Sequence, residues 1–266
     1  EPVNTMLVIY EKEIFRNILK EAKVNKIKAV KYEIVDKKET GKKFLIIEQS
    51  FDQNGNLVEV KTFDKEVLNK TIKFSYDENN NLVKEEEYSS DGKMQKRINY
   101  YYENSRIKKS EVYNGNGKLN ESSEYSYSND NKKITLKILK EGKYLENSIE
   151  FIYKEDFDKS GENLSYKYNS EGKLLSITES QCGKDGRLYE KIELNPKEEI
   201  QSIVRFSYDE KGNITKVTTL DKDKNTLYYD EFKYDQKNLC LEIKRFYTPE
   251  RMLTKIVNEY EYFDKN

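Results

Sequence analysis

Hydrophobic and polar positions change rhythm once along the chain. Over the first 25 residues Ile14, Phe15, Ile18, Leu19 and Ala22 recur at spacings of three and four, which sets them on one face of a helix. Asn4 or Thr5 stands where that helix would be capped, and Asn25 where it would end. Residues 1–25 are therefore expected to form a capping helix. From residue 26 the period falls to two. KIKAVKYEIV (26–35) reads as a strand, DKKETGKK as a polar turn and FLIIEQSF as the next strand. No second helical period follows, so 26–266 is expected to be one β-repeat array.

Within that array the pattern aromatic-x-Tyr recurs at 74–76, 100–102, 125–127, 151–153, 166–168, 206–208, 232–234 and 260–262. Its last tyrosines lie 26, 25, 26, 15, 40, 26 and 28 residues apart, a dominant period near 26. Turn signals follow the aromatic pair, as in FDQNGNL (51–57), YDENNNL (76–82), YNSEGKL (168–174) and YDEKGNI (208–214). Others fall midway, as in SSDGK (89–93), NGNGK (114–118) and KDGR (184–187). Gly, Asn and Asp supply the positive φ that tight hairpins need. Two turns per repeat divide it into two strands. The expected fold is all-β: an up-and-down antiparallel meander of about seventeen strands, elongated and open or gently coiled, on the order of 80 Å across.

In the repeat at 74–103, Lys84, Glu85, Glu86 and Glu87 form an unbroken charged row. With Asp91-Gly92 as a two-residue loop, Glu87 would face Lys96, Glu86 would face Arg97 and Val83 would face Tyr100. Opposite charges then pair across strands on both faces, at roughly 0.2–1 kcal/mol each. The two aromatics of each motif share a face, so repeats stack them in rows. Those rows serve as core or as a ligand platform, since Tyr joins an apolar body to a polar tip. A platform is best placed at Tyr100, Tyr102, Tyr125 and Tyr127, where the repeat is most regular.

At these turns the chain resembles the YD-repeat (Rhs-type) family of bacterial surface and toxin-associated proteins, and secondarily the MORN-type repeats. YDEKGNI at 208–214 is the nearest copy, with FDQNGNL and YDENNNL behind it. Gly is replaced at Asn80, and the copy at 234–239, YDQKNL, is shortened. The resemblance covers roughly 44–263 and implies a β-structured, extracytoplasmic, non-catalytic protein. MORN-like turns imply an alternative, a cytoplasmic toxin-neutralising immunity protein.

Composition narrows the chemistry. Mean hydropathy is −0.98 and 36% of residues are charged, yet 12% are aromatic and Pro occurs only three times, which favours an ordered protein with a thin core over disorder. Net charge is −1, without the basic footprint of a nucleic-acid binder. The longest aliphatic run, FLII at 44–47, is far too short for a membrane span, and no membrane insertion is expected. Histidine is absent, which removes the commonest general base and zinc ligand. No catalytic, metal or cofactor site is expected. DKDKN at 221–225 opens like a calcium loop but has Thr226 and Phe232 where Gly and Glu belong. Cys182 and Cys240 are expected to be free thiols, several strands apart. The expected role is non-covalent binding of a protein or glycan, or scaffolding, outside a bacterial cell through a removed leader. Self-association through the terminal strand near 253–263 is a further expectation.

Overall fold

A computed structural model describes residues 12–247 and 251–264. Among the described residues one helix, α1 (Lys12–Glu21), precedes eighteen strands. They are β1 (Val24–Val35), β2 (Lys38–Phe51), β3 (Leu57–Asp64), β4 (Val67–Tyr76), β5 (Leu82–Ser89), β6 (Met94–Glu103), β7 (Arg106–Asn114), β8 (Leu119–Tyr127) and β9 (Lys133–Lys140). Then follow β10 (Tyr144–Ile152), β11 (Leu164–Asn169), β12 (Leu174–Cys182), β13 (Leu188–Leu194), β14 (Ile200–Tyr208), β15 (Ile214–Leu220), β16 (Thr226–Tyr234), β17 (Cys240–Tyr247) and β18 (Arg251–Tyr262).

All eighteen strands belong to one sheet. β1 pairs antiparallel with β2 on one side and with β18 on the other, from Val24 opposite Tyr262 to Tyr32 opposite Lys255. The expected open or coiled array is thereby corrected to a closed eighteen-stranded antiparallel barrel. An open sheet leaves unpaired N–H and C=O groups on both terminal strands, and pairing those strands with each other satisfies them. The terminal strand is also no free edge for self-association, because β18 is paired with both β17 and β1. DKKETGKK is mostly strand rather than turn. Only Asp36 and Lys37, at φ +48° and +66°, form the loop, a two-residue turn with both φ positive. Asp91-Gly92 is corrected the other way. Ser89 N–H donates to Lys93 O and Gly92 N–H to Ser89 O, both at 3.0 Å, so the loop has three residues.

The chain divides into two compact units. One holds the residues up to Met94 with Tyr208–Lys216 and the stretch from Tyr229 onward; the other holds Gln95–Ser207 and Val217–Tyr228. In the first unit, cross-strand rows show how the alternation is used. Tyr260, Ile27, Gln49, Val60, Ile72 and Glu87 stand opposite one another in turn, as do Asn258, Ala29, Ile47, Thr62, Lys70 and Ser89. This face carries the buried cluster of Ala29, Ile47, Val60 and Ile256. The other face reads Glu261, Lys26, Ser50, Glu59, Lys73, Glu86 and, beside it, Glu259, Lys28, Glu48, Lys61, Thr71, Tyr88. The row Lys84–Glu87 now has an explanation. Glu87 joins the first face and pairs with Lys70 at 3.1 Å, while Lys84 and Glu86 lie on the second and pair at 3.2 Å.

α1 covers the apolar residues where its unit would otherwise lie open. Its Leu19 is fully buried in a cluster with Val24, Ile27, Phe51 and Leu239, flanked by Phe15, Ile18, Ala22 and Tyr260. Phe15 meets Phe51 edge-on at 6.4 Å. The helix stops at Glu21, where Lys23 turns to φ +55°, and Asn25 already lies in β1. Asn4 and Thr5 lie outside the described residues.

Candidate functional site

The repeated turn residues are occupied by the fold. In YDENNNL, one Asp77 carboxylate oxygen accepts the N–H groups of Asn79 and Asn81, both at 2.9 Å, and the other accepts the Asn81 amide at 3.0 Å. Those bonds hold the carboxyl below its ordinary range, the Asn81 backbone bond foremost. Asp52 and Asp209 repeat the arrangement with Asn56 and Asn213. Neighbouring turns are then tied together: Asn56 donates to Asn80 at 2.8 Å and Asn213 to Asn238 at 3.0 Å. Asn80 and Asn238 sit at φ +60° and +64°. There Asn tolerates the left-handed region that Gly serves elsewhere and adds a side-chain acceptor that Gly lacks.

The tyrosines ending the aromatic motif have a matching task. Tyr76 donates to Leu57 O at 2.7 Å, Tyr127 to Ile107 O at 2.6 Å, Tyr234 to Ile214 O at 2.8 Å and Tyr260 to Cys240 O at 2.6 Å. Each latches onto the first residue or two of the strand that opens the preceding repeat unit. Removing one hydroxyl, as in Tyr76→Phe or Tyr234→Phe, is expected to cost about 0.5–1.5 kcal/mol, read from the denaturation midpoint, with secondary structure unchanged.

Tyr100, Tyr102, Tyr125 and Tyr127, the predicted platform, share one face of the second unit. Tyr100 stands opposite Ser110, which stands opposite Ser123. All four are half-buried. Tyr127 is covered further by the segment between β10 and β11. Its ring lies 5.6 Å from Phe157, which lies 5.8 Å from Tyr153, and Arg106 sits over both Tyr127 and Phe157 while bonding Asp158 at 2.5 Å. Burial pushes the Tyr125 and Tyr127 hydroxyls up, and that of Tyr153 up to about 12.

The opposite face of the same strands holds a more open cluster. Arg97 stands opposite Tyr113, Asn99 opposite Glu111 and Tyr101 opposite Lys109. Glu111 accepts hydrogen bonds from the Tyr101 hydroxyl at 3.1 Å and from the Tyr113 hydroxyl, and pairs with Lys109. The Arg97 guanidinium lies 4.7 Å over the Tyr113 ring. Tyr101 is 44% exposed. Burial raises the Glu111 carboxyl, but the bonds from Lys109, Tyr113 and Tyr101 outweigh it and hold the group low. The bond to Glu111, then burial, pushes Tyr113 up to about 12. The sequence signal for this cluster is the run Tyr100-Tyr101-Tyr102, whose middle ring must face away from the other two.

A tyrosine raised on folding favours the native state below its unfolded value, about 10, and that contribution fades as pH rises through about 12. Phenolate absorbance should therefore show Tyr113, identified by difference from Tyr113→Phe, ionising late. In Glu111→Gln it should ionise nearer the ordinary value.

The calcium-like DKDKN is a self-closed turn. Asp221 Oδ1 accepts Asp223 N–H at 2.9 Å and Asn225 N–H at 2.8 Å. Cys182, exposed, and Cys240, buried, are both free thiols.

No family model and no curated protein matches the chain. Among solved structures, a porin-like protein from Bacteroides uniformis overlaps 90% of this chain and 98% of its own, at 10% identity and a TM-score of 0.46. A porin-like protein from Bacteroides vulgatus overlaps 90% and 99%, at 9% identity and a TM-score of 0.33. The Tc holotoxin pore of Photorhabdus luminescens overlaps 79% of this chain but 16% of its own, at 10% identity and a TM-score of 0.20. With TM-scores below 0.5, these likenesses assign neither fold nor function, and the YD-repeat and MORN-type resemblances rest on the motif residues.

Proposed function

We propose that this protein is a non-catalytic bacterial barrel that acts outside the cytoplasm, binding a protein or glycan partner or serving as a scaffold for one. The observation that carries the reading is the half-buried cluster around the exposed Tyr101 ring. It is an aromatic and charged surface held on paired strands, whereas the Asp, Asn and Tyr groups of the repeats are engaged by the fold itself. Preorganised polar and aromatic groups on a rigid wall suit recognition.

The charged face of the first unit supports a wall that meets water. Its partner face carries the buried cluster and the helix, so the charged face is the one left to solvent. No helix among the described residues is long and apolar enough to cross a membrane. A strand wall in lipid would be apolar on the face turned away from its core, and each Lys at mid-depth would cost about 2–4 kcal/mol. Lys26, Lys28, Lys61 and Lys73 all lie on that side.

The test is protease shaving of intact cells, with mass spectrometry of the native N-terminus. A processed N-terminus and turns cleaved from outside are expected. A protected chain that keeps its initiator Met contradicts the reading and puts a cytoplasmic toxin-neutralising role in its place.

A further inference from the structure

We infer that Arg97, Asn99 and Tyr101 on β6, with Tyr113 and Glu111 beside them on β7, form a binding site for an acidic oligosaccharide, with the carboxylate of a hexuronate unit on Arg97. The inference names a ligand class for the binding role proposed above and rests on that reading.

Arg97 is the first reason. Its Nε is buried without a hydrogen-bond partner, and its side chain makes no ion pair among the described residues. A guanidinium that meets no carboxylate among the described residues points to an acceptor supplied from outside. Lys109, the neighbouring cation, is already engaged by Glu111. The guanidinium is held over the Tyr113 ring, and its planar fork matches a carboxylate better than a point charge does.

The second reason is the company Arg97 keeps. Tyr101 presents an exposed ring whose hydroxyl is tethered to Glu111, a fixed apolar plate with a polar rim for the C–H face of a sugar. Asn99 lies between the two on the same face, with an amide that both donates and accepts. From Arg97 to Tyr101 the strand covers roughly 13 Å, the reach of a short oligosaccharide.

The third reason separates a sugar from an acidic peptide. Glu111, and Glu124 opposite Lys109, stand on the same face. They oppose a run of acidic side chains, yet they accept hydroxyl protons from a sugar that brings one carboxylate to one arginine.

The probes are a trisaccharide of galacturonate and the neutral galactose trisaccharide of the same linkage, titrated calorimetrically into the full chain. The uronate should bind and the neutral sugar should not. Arg97→Gln should weaken uronate binding about tenfold or more, the scale of a lost charged hydrogen bond. Tyr101→Ala, at an exposed position, should weaken it too while the melting temperature stays put. Uronate binding that survives Arg97→Gln, or no uronate binding by the parent chain, overturns the site. Binding of the neutral sugar alone also overturns it, while leaving the wider binding role intact. That role fails separately, through the shaving experiment.

Discussion

Asp230→Ala is expected to lower the unfolding free energy by about 3–5 kcal/mol, the scale of breaking a buried ion pair from one side. Asp230 is 3% exposed. Both of its oxygens are used by Arg245, from Nε at 2.6 Å and from Nη2 at 2.8 Å. The pair ties β16 to β17 on the face that also buries Phe232. Alanine removes the carboxylate and leaves a nearly buried guanidinium without its bidentate acceptor. Asp230→Asn keeps the shape and one acceptor oxygen, and should cost less. Replacing both partners by leucine should recover much of the loss, because two apolar groups strand no charge. Urea denaturation of the single and double variants checks this. A loss below about 1 kcal/mol for Asp230→Ala would mean that the pair behaves like a solvated surface bridge.

Gly55→Ala should release α1 from the sheet. A Cβ at Gly55 would lie 2.2 Å from the Arg16 carbonyl oxygen and 3.1 Å from the Lys20 nitrogen, both backbone atoms of the helix, and its φ is +79°. Gly117 provides the control. It has nearly the same φ, +83°, with nothing within 4 Å of the added carbon. Gly117→Ala therefore carries only the left-handed strain, roughly 1–2 kcal/mol. Gly55→Ala carries that strain and also displaces a helix that buries Leu19 completely, a contact on the scale of the 2–5 kcal/mol that Leu→Ala costs in a core. Hydrogen exchange should show the amides of Lys12–Glu21 losing protection in Gly55→Ala while the strands keep theirs. Equal protection in both variants would mean that the helix does not rest on this turn.

Much of this architecture is legible in the sequence because its causes are local. Leu19 and its neighbours announce the helix through their spacing, and the Asp-x-x-Gly/Asn-Asn turns announce the hairpins through backbone needs that nearby side chains meet. Closure is different. β1 finds β18 more than 200 residues away, and nothing in KIKAVKYEIV marks it as the partner of KIVNEYEY. Lys28 does meet Glu261, but in so mixed-charge a chain many pairings of that kind are available. Asn80 looks like a lost glycine until its acceptor role for Asn56 is seen. The tyrosine latches are hidden for the same reason, since their carbonyl partners lie about twenty residues back. In the candidate site, periodicity places Tyr101 opposite Tyr100 and Tyr102. That Glu111 fastens Tyr101 and that Arg97 lacks an acceptor emerge only once β6 and β7 are in register.

The closed sheet is tested most directly by a crosslink between the first and last strands. Lys28 and Glu259 stand directly opposite each other on the charged face, at the strand separation a disulfide can span. In a Cys182→Ser background, Lys28→Cys with Glu259→Cys should oxidise rapidly within one chain, giving a crosslinked monomer whose circular dichroism is unchanged. Slow oxidation, or crosslinks only between copies, would mean that β1 and β18 are free edges and that the sheet is open.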